Sequence, residues 1–298
     1  MKKHLIKGLN SYSEYKFKFF EKCKKPDHFT TYFEGGLGSQ ILAYIEYTNR
    51  SNNSSELTYT ETSYFNINQV FNQENGVTHW QWKLDHYGIE LEELRKFSKH
   101  NVRNISKLRR PNISEYSDYI KMNKLWSPTK KILELLPIVS TREYREKVFF
   151  SGNKVSDYGV IHIRKGDYLK VATKLIEVDS IEIILRKLKS SLPKCLVIVS
   201  DGTITLDERN TLNSACNALK LSEIEFYDKS NPIIDETLVH DLMRSANFLL
   251  TSNSTFSFTA GLLNMVDNRL VVFPSSFYGG SDIELDSLYQ THSQYCIM

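Results

Sequence analysis

From about Tyr158 onward the chain alternates short apolar runs with stretches of helical periodicity. "YGVIHIR" (158–164) and "KCLVIVS" (194–200) are apolar, β-branched runs with little polar alternation, which suits strands covered on both faces. "EIEFYD" (223–228), "NFLLTS" (247–252) and "NRLVVFP" (268–274) read as further strands, the last closed by a proline. Between them, "VDSIEIILRKLKSSL" (178–192), "TLDERNTLNSACNALK" (205–220), "DETLVHDLMRSA" (235–246) and "TFSFTAGLLNM" (255–265) read as helices, with Asp179 or Ser180 able to cap the first. Strands alternating with helices predict an α/β domain built on a doubly wound parallel sheet. Ligands of such sheets sit outside the carboxyl ends of the strands. The polar residues that follow the strands are Arg164–Tyr168, Ser200–Thr203, Asp228–Asn231 and Ser252–Thr255, and these are expected to line one edge.

The first half is less regular. "YFEGGLGSQILAYIEYTNR" (32–50) reads as strand, glycine-rich turn and helix. The polar stretch "SNNSSELTYTETSYFNINQVFNQENG" reads as loop, followed by short helical patches at 89–100 and 128–139. Residues 141–157 then bridge to the regular half, so the expected division is a first lobe of residues 1–155 and a second of residues 156–298. No internal repeat or low-complexity block interrupts either.

Composition adds limits. The 298 residues carry 41% hydrophobic and 24% charged side chains, the balance of a soluble globular protein. A net charge of +3, spread along the chain, gives no argument for nucleic acid. The basic clusters Lys22–Lys24–Lys25 and Lys107–Arg109–Arg110 read as solvated faces or as edges that attract an anionic surface. The four cysteines, Cys23, Cys195, Cys216 and Cys296, form no CxxC pair, which argues against a zinc site or a disulfide framework and for a reducing cytoplasm. The opening twenty residues lack the apolar core of a signal peptide, and no window has the apolar length of a membrane span.

Three segments carry candidate chemistry. In "EGGLGSQ" (34–40), three glycines precede a helix; they serve either a tight turn or the close approach of an anionic ligand to a helix N-terminus. In "HIRKGDY" (162–168), a buried strand ends on Arg164, Lys165, Gly166 and Asp167. An unpaired buried guanidinium is costly, so Arg164 must meet an acid, with Asp167 the near candidate, or an external phosphate that its fork would match. In "TSNSTFSFTAGL" (251–262), Ser252, Asn253, Ser254 and Thr255 lie between a strand and a helix. One of them suffices as a cap; four together also suit phosphate binding at the first helical turn. The second and third segments follow strands of one sheet, so both could meet a diphosphate. No D-x-D triplet occurs for a metal-bridged one.

In their residues and order these segments resemble the α-1,2-fucosyltransferase family. "HIRKGDY" is similar to its H-x-R-R-x-D-Y motif, "GGLGSQ" (35–40) to its G-G-L-G-N-Q, and "LMRSANFLLTSNSTFSFTAGLLN" (242–264) to the stretch ending in N-S-T-F-S-W. Lys165, Ser39 and Phe258 stand where the family has Arg, Asn and Trp, and about thirty residues precede the glycine turn beyond the usual bacterial start. The resemblance implies a GT-B architecture of two Rossmann-like lobes, GDP-fucose as donor, no metal or other cofactor, and inversion at the anomeric carbon. It places Arg164 on the β-phosphate, His162 near the nucleotide, Ser254 and Thr255 on phosphates, and Gly35, Gly36 and Gly38 along the cleft. Relatives read guanine through an acid just before the last motif. Val239 holds the aligned position here, with Asp235 and Asp241 beside it.

The expected catalytic residues are thus Arg164, Asp167 and Glu34. The expected donor-binding set is His162, Arg164, Lys165, Ser252, Asn253, Ser254, Thr255, Phe256, Gly35, Gly36, Gly38, Gln40 and Asp241. The general base stays open among Glu34, Asp167 and His162. Expected partners are a nucleotide sugar and a glycan acceptor, with no nucleic acid. A lipid-linked acceptor would bring the cytoplasmic protein to the inner membrane face. Two rival readings are a transferase of another nucleotide sugar and a nucleotide- or glycan-binding protein without turnover.

Overall fold

The computed structural model describes residues 28–33, 35–53, 57–62, 65, 81–95, 130–166, 178–221, 223–228, 235–264, 269–274 and 295–297. The chain forms two compact units, Met1–Trp126 and Ser127–Met298, so the division falls ahead of the expected residue 155.

In the first unit, β1 (His28–Tyr32) leads through the glycine turn into α1 (Leu37–Asn53), and β2 (Leu57–Glu61) returns parallel to β1. β2 lies in the stretch read as loop. Its threonines hid it: Thr60 is buried, and its hydroxyl donates to the Leu94 carbonyl at 2.5 Å. A 3-10 turn (Leu84–Tyr87) and α2 (Leu91–Arg95) follow. Within α1, the buried Glu46 pairs with Arg50 at 3.2 Å and accepts from Thr31 at 3.5 Å. Burial pushes the Glu46 carboxyl up to about 7, against the pull of Arg50.

The second unit opens with α3 (Lys130–Leu135) and α4 (Arg142–Phe149), the latter within the expected bridge. Then come β3 (Tyr158–Ile163), α5 (Val178–Lys187), β4 (Cys195–Ser200), α6 (Leu206–Ala218), β5 (Glu223–Tyr227), α7 (Glu236–Ser245), β6 (Phe248–Leu250), α8 (Thr255–Leu263), β7 (Leu270–Phe273) and β8 (Tyr295–Ile297). The expected strand–helix alternation is present and β8 adds to it. Asp179 and Ser180 lie inside the first turn of α5, after its Val178 start, and so are not its N-cap. Asp235 caps α7 by accepting from the Thr237 N–H.

All pairings in the six-stranded sheet are parallel, and the strand order is β5-β4-β3-β6-β7-β8. The chain moves outward from β3 to β5, then returns to the other side of β3 and moves outward again. The order therefore reverses between β3 and β6. Right-handed crossovers put the helices of the two halves on opposite faces. In agreement, α5 packs with α6 and α7 with α8. Ile161 and Ile163 of β3 join Ile181 and Leu185 of α5 and Leu212 and Cys216 of α6 in one core. With a period of two, Val160 and His162 face the other side, toward α7 and α8. Cys195 and Cys216 are buried, and burial pushes the Cys216 thiol up to about 11. Among the described residues, no helix is long and apolar enough to cross a membrane.

Candidate functional site at the reversal of the sheet

Arg164 is the first residue past β3. The register pairs Ile161 with Leu250 on one side and Ile163 with Ser200 on the other. Continued past the strand ends, it sets Arg164 between Asn253 and Asp201, with adjacent chains about 5 Å apart. The guanidinium meets that acid: Arg164 Nη1 lies 2.8 Å from Asp201 Oδ2, with side chains 20% and 28% exposed. Asp201 Oδ1 also accepts the Lys165 N–H at 2.7 Å, so one carboxylate grips the end of β3 twice.

Two glycines permit this grip. A Cβ at Gly166 would collide with the Asp201 carboxylate, and one at Gly202 would lie 2.7 Å from Lys165 Cβ and 3.1 Å from the Gly166 nitrogen. The expected partner Asp167 lies outside the described residues.

Lys165 is turned to a different task. Its ammonium pairs with Glu208 and donates to the Thr203 carbonyl at 3.1 Å. Glu208 accepts from the Thr205 N–H and hydroxyl at 2.8 Å each and completes the capping box of α6. Burial raises the Glu208 carboxyl, but the Lys165 and Thr205 hydrogen bonds outweigh it and hold the group below its usual range. Placed with Arg164 at the diphosphate by its sequence position, Lys165 instead ties β3 to α6.

On the opposite side of β3, the buried His162 Nδ1 lies 2.7 Å from Ser252 Oγ. This bond joins the β3 and β6 ends across the reversal. The half-buried Phe256 ring lies 5.7 Å from the His162 ring and 5.4 Å from the His240 ring. Burial, with the Arg164 charge second, lowers His162 to about 3. His240, bonded to Thr259 Oγ1 at 3.1 Å, is driven well below its usual value by burial and then by Arg244 and His162. Both imidazoles are neutral at physiological pH.

Ser252, Asn253 and Ser254 are nearly fully buried, whereas Thr255 and Phe256 are half-buried at the mouth of α8. Ser254 caps the helix, its Oγ accepting the Phe256 N–H at 3.4 Å. Ser252 faces inward to His162 and to Ser257, its N–H donating to Ser257 Oγ at 3.1 Å. The four polar residues thus divide their work, and the capping requirement accounts for one of them.

Asp241, expected at the donor, is fully buried in a clamp. Its Oδ2 accepts from the N–H groups of Val139 and Ser140 at 2.9 and 2.7 Å and from Ser140 Oγ at 2.8 Å. Arg244, one turn on, donates to the Leu136 and Pro137 carbonyls at 2.6 and 3.1 Å. An acid and a base at this spacing share a helix face, so α7 holds both polarities of the 136–140 backbone.

The glycine turn belongs to the first unit. Gly35 has φ +75°, and Gly38 lies in the first turn of α1. At Gly36 an added Cβ would meet nothing within 4 Å. Gln40 is wholly buried: its Nε2 donates to the Gly35 and Gln81 carbonyls at 2.8 and 2.9 Å, and its Oε1 accepts the Lys83 N–H at 2.9 Å. It braces the turn. Glu34 lies outside the described residues, as do the two basic clusters.

Sequence reasoning overlooked Glu208 and Ser257, and did not pair Asp201 with Arg164. The one available signal was for Asp201, which falls in the polar group after β4.

No family model and no curated protein matches the chain. Among solved structures, the chain is similar to the E. coli ADP-heptose LPS heptosyltransferase II, with 9% identity over 91% of this chain and 90% of that one, and a TM-score of 0.37.

Proposed function

We propose that the chain is a glycosyltransferase whose second unit holds a nucleoside diphosphate sugar where the strand order reverses. One observation carries this reading. Arg164 follows β3 and Ser252–Thr255 follow β6, and these are the two strand ends that flank the reversal, where open α/β sheets bind their ligands. A guanidinium fork and a helix N-terminus are both suited to phosphate oxygens. The motifs that resemble α-1,2-fucosyltransferases support the finer reading: GDP-fucose as donor, a sugar hydroxyl as acceptor, inversion without a metal.

In the proposed step an acceptor hydroxyl attacks the anomeric carbon. The bond from that carbon to the β-phosphate oxygen breaks, GDP leaves, and the hydroxyl proton passes to a base. Arg164 and the start of α8 stabilise the charge that grows on the diphosphate. Loss of one such preorganised donor typically costs about a hundredfold or more in turnover. His162, with a pKa near 3, is too weak a base at neutral pH, which leaves Glu34 and Asp167 for that role.

Asp241 favours a second reading. Its side chain is fully buried and its Oδ2 is held by Val139 and Ser140, which does not suit it to read guanine, so a different nucleotide sugar on the same scaffold is the rival. Calorimetric titration with GDP, UDP and CMP separates the two. Preference for GDP, lost in Arg164→Ala, supports the first; equal or absent GDP binding overturns it. A transfer assay with radiolabelled GDP-fucose and EDTA then tests turnover.

A further inference from the structure

Ser257 is fully buried in the first turn of α8, and the sequence argument assigns it nothing. Its Oγ lies 3.3 Å from Ser252 Oγ, which lies 2.7 Å from His162 Nδ1. A chain of two hydroxyls therefore runs from the imidazole into the helix. Ser257 Oγ already accepts the Ser252 N–H, and it has carbonyl acceptors for its own proton at Ser252 and Ser254, both at 3.4 Å.

Two proton arrangements satisfy the chain. In one, Ser257 donates to Ser252, Ser252 donates to His162 Nδ1, and the ring carries its proton on Nε2. In the other, His162 Nδ1–H donates to Ser252, Ser252 donates to Ser257, and Ser257 donates to a carbonyl. Both leave every hydroxyl proton donated, and the two carbonyls already accept the Ser254 and Phe258 N–H groups at 2.8 and 2.9 Å; the second makes one hydrogen bond more, from Ser257 Oγ to a carbonyl. Buried polar groups favour the arrangement that satisfies most of them. It also turns a lone pair, rather than an N–H, toward the side of the ring away from Ser252.

We infer that Ser257 is a positioning residue that fixes His162 as the Nδ1-protonated tautomer and so leaves Nε2 as a hydrogen-bond acceptor at the reversal of the sheet. Among the described residues Nε2 has no hydrogen-bond partner, and the ring is neutral. The group it suits is an N–H or O–H of the bound nucleotide, such as a ribose hydroxyl or a base N–H. This last step rests on the donor-site reading above; the tautomer itself does not.

The test uses the full chain with ¹⁵N-labelled histidine. Long-range proton–nitrogen spectra distinguish the two tautomers by the nitrogen shifts, and His162→Asn assigns the signal. Wild type is expected to show His162 protonated on Nδ1. In Ser257→Ala, Ser252 loses its acceptor and donates to Nδ1 instead, so the ring switches to the Nε2-protonated form while His240 stays unchanged. The lone pair is then lost, and GDP binding weakens roughly tenfold, about the worth of one hydrogen bond. Ser257→Thr, which keeps the hydroxyl, retains the wild-type tautomer. An Nε2-protonated ring in wild type, or no switch in a folded Ser257→Ala, overturns the inference. Should Ser257→Ala fail to fold, the wild-type spectrum decides alone. Absence of GDP binding in wild type counts against the donor reading and leaves the tautomer result to stand or fall by the shifts.

Discussion

Asp201 Oδ2 lies 2.8 Å from Arg164 Nη1 across the ends of β4 and β3, and the same carboxylate receives the Lys165 N–H. The guanidinium that faces the reversal of the sheet is thus aimed by an acid 37 residues further along the chain.

Arg164→Ala should abolish GDP binding and sugar transfer while the protein stays folded, because Asp201 keeps its backbone partner. Arg164→Lys retains charge without the fork and should recover little. Calorimetry and the radiolabelled transfer assay measure both effects; near-normal turnover in the alanine variant refutes the assignment.

Gly166→Ala forces a methyl into the Asp201 carboxylate and should separate it from Arg164. The cost in stability is about 1–3 kcal/mol, the usual range for overpacking. The loss of GDP affinity should be larger than in Gly202→Ala, where the added methyl meets Lys165 Cβ instead. Equal losses in the two variants would count against Asp201 as the aiming group.

Lys165→Met should lower the melting temperature and leave GDP affinity close to wild type, since its ammonium is spent on Glu208 and the Thr203 carbonyl. A drop in affinity as deep as that of Arg164→Ala would place Lys165 on the phosphate after all.

His162, lowered to about 3, makes the second unit sensitive to acid. Between pH 6.5 and 3 the unfolded chain binds the proton that the native ring refuses, so stability is full above pH 6.5 and falls as the pH drops through that window. His240 acts in the same direction. Urea unfolding at pH 7, 5.5 and 4 should show the fall, reduced in His162→Gln.

Glu46 gives the first unit the opposite slope. Its carboxyl, raised to about 7, holds a proton that the unfolded chain releases above about 4.5, so this unit loses stability as the pH rises through that window. Amide exchange along α1 should quicken from pH 5 to 7.5, after correction for the intrinsic rate, and Glu46→Gln should flatten the trend.

The strands of the second unit were legible because each is a compact apolar run, and their alternation with helices fixed a parallel sheet. Strand order was not legible, since the same alternation fits several orders. β2 was missed because the buried Thr60 reads as polar. At the site, Arg164, His162 and the Ser252–Thr255 run were legible from their places after or at the end of strands, and the structure does set those strand ends side by side. The partners were not: Asp201 and Glu208 lie 37 and 43 residues from the side chains they hold, and such distances carry no sequence signal. Asp241 and Gln40 show the converse. Each has the chemistry of a ligand-binding group; Gln40 turns its amide to the backbone, and Asp241 gives Oδ2 to two backbone amides and a hydroxyl.

A histidine beside an arginine at a phosphate site would ordinarily act as a pH gauge, gaining charge as the surroundings acidify and tightening its hold on anions. Burial of His162 removes that response. The groups that face the reversal are a guanidinium, hydroxyls, backbone amides and an imidazole kept neutral, so if phosphate binds there as proposed, acid would not strengthen its hold through this ring. Acid reaches this unit as a loosening of its fold, so under the proposed function ligand affinity and fold stability would respond to pH separately.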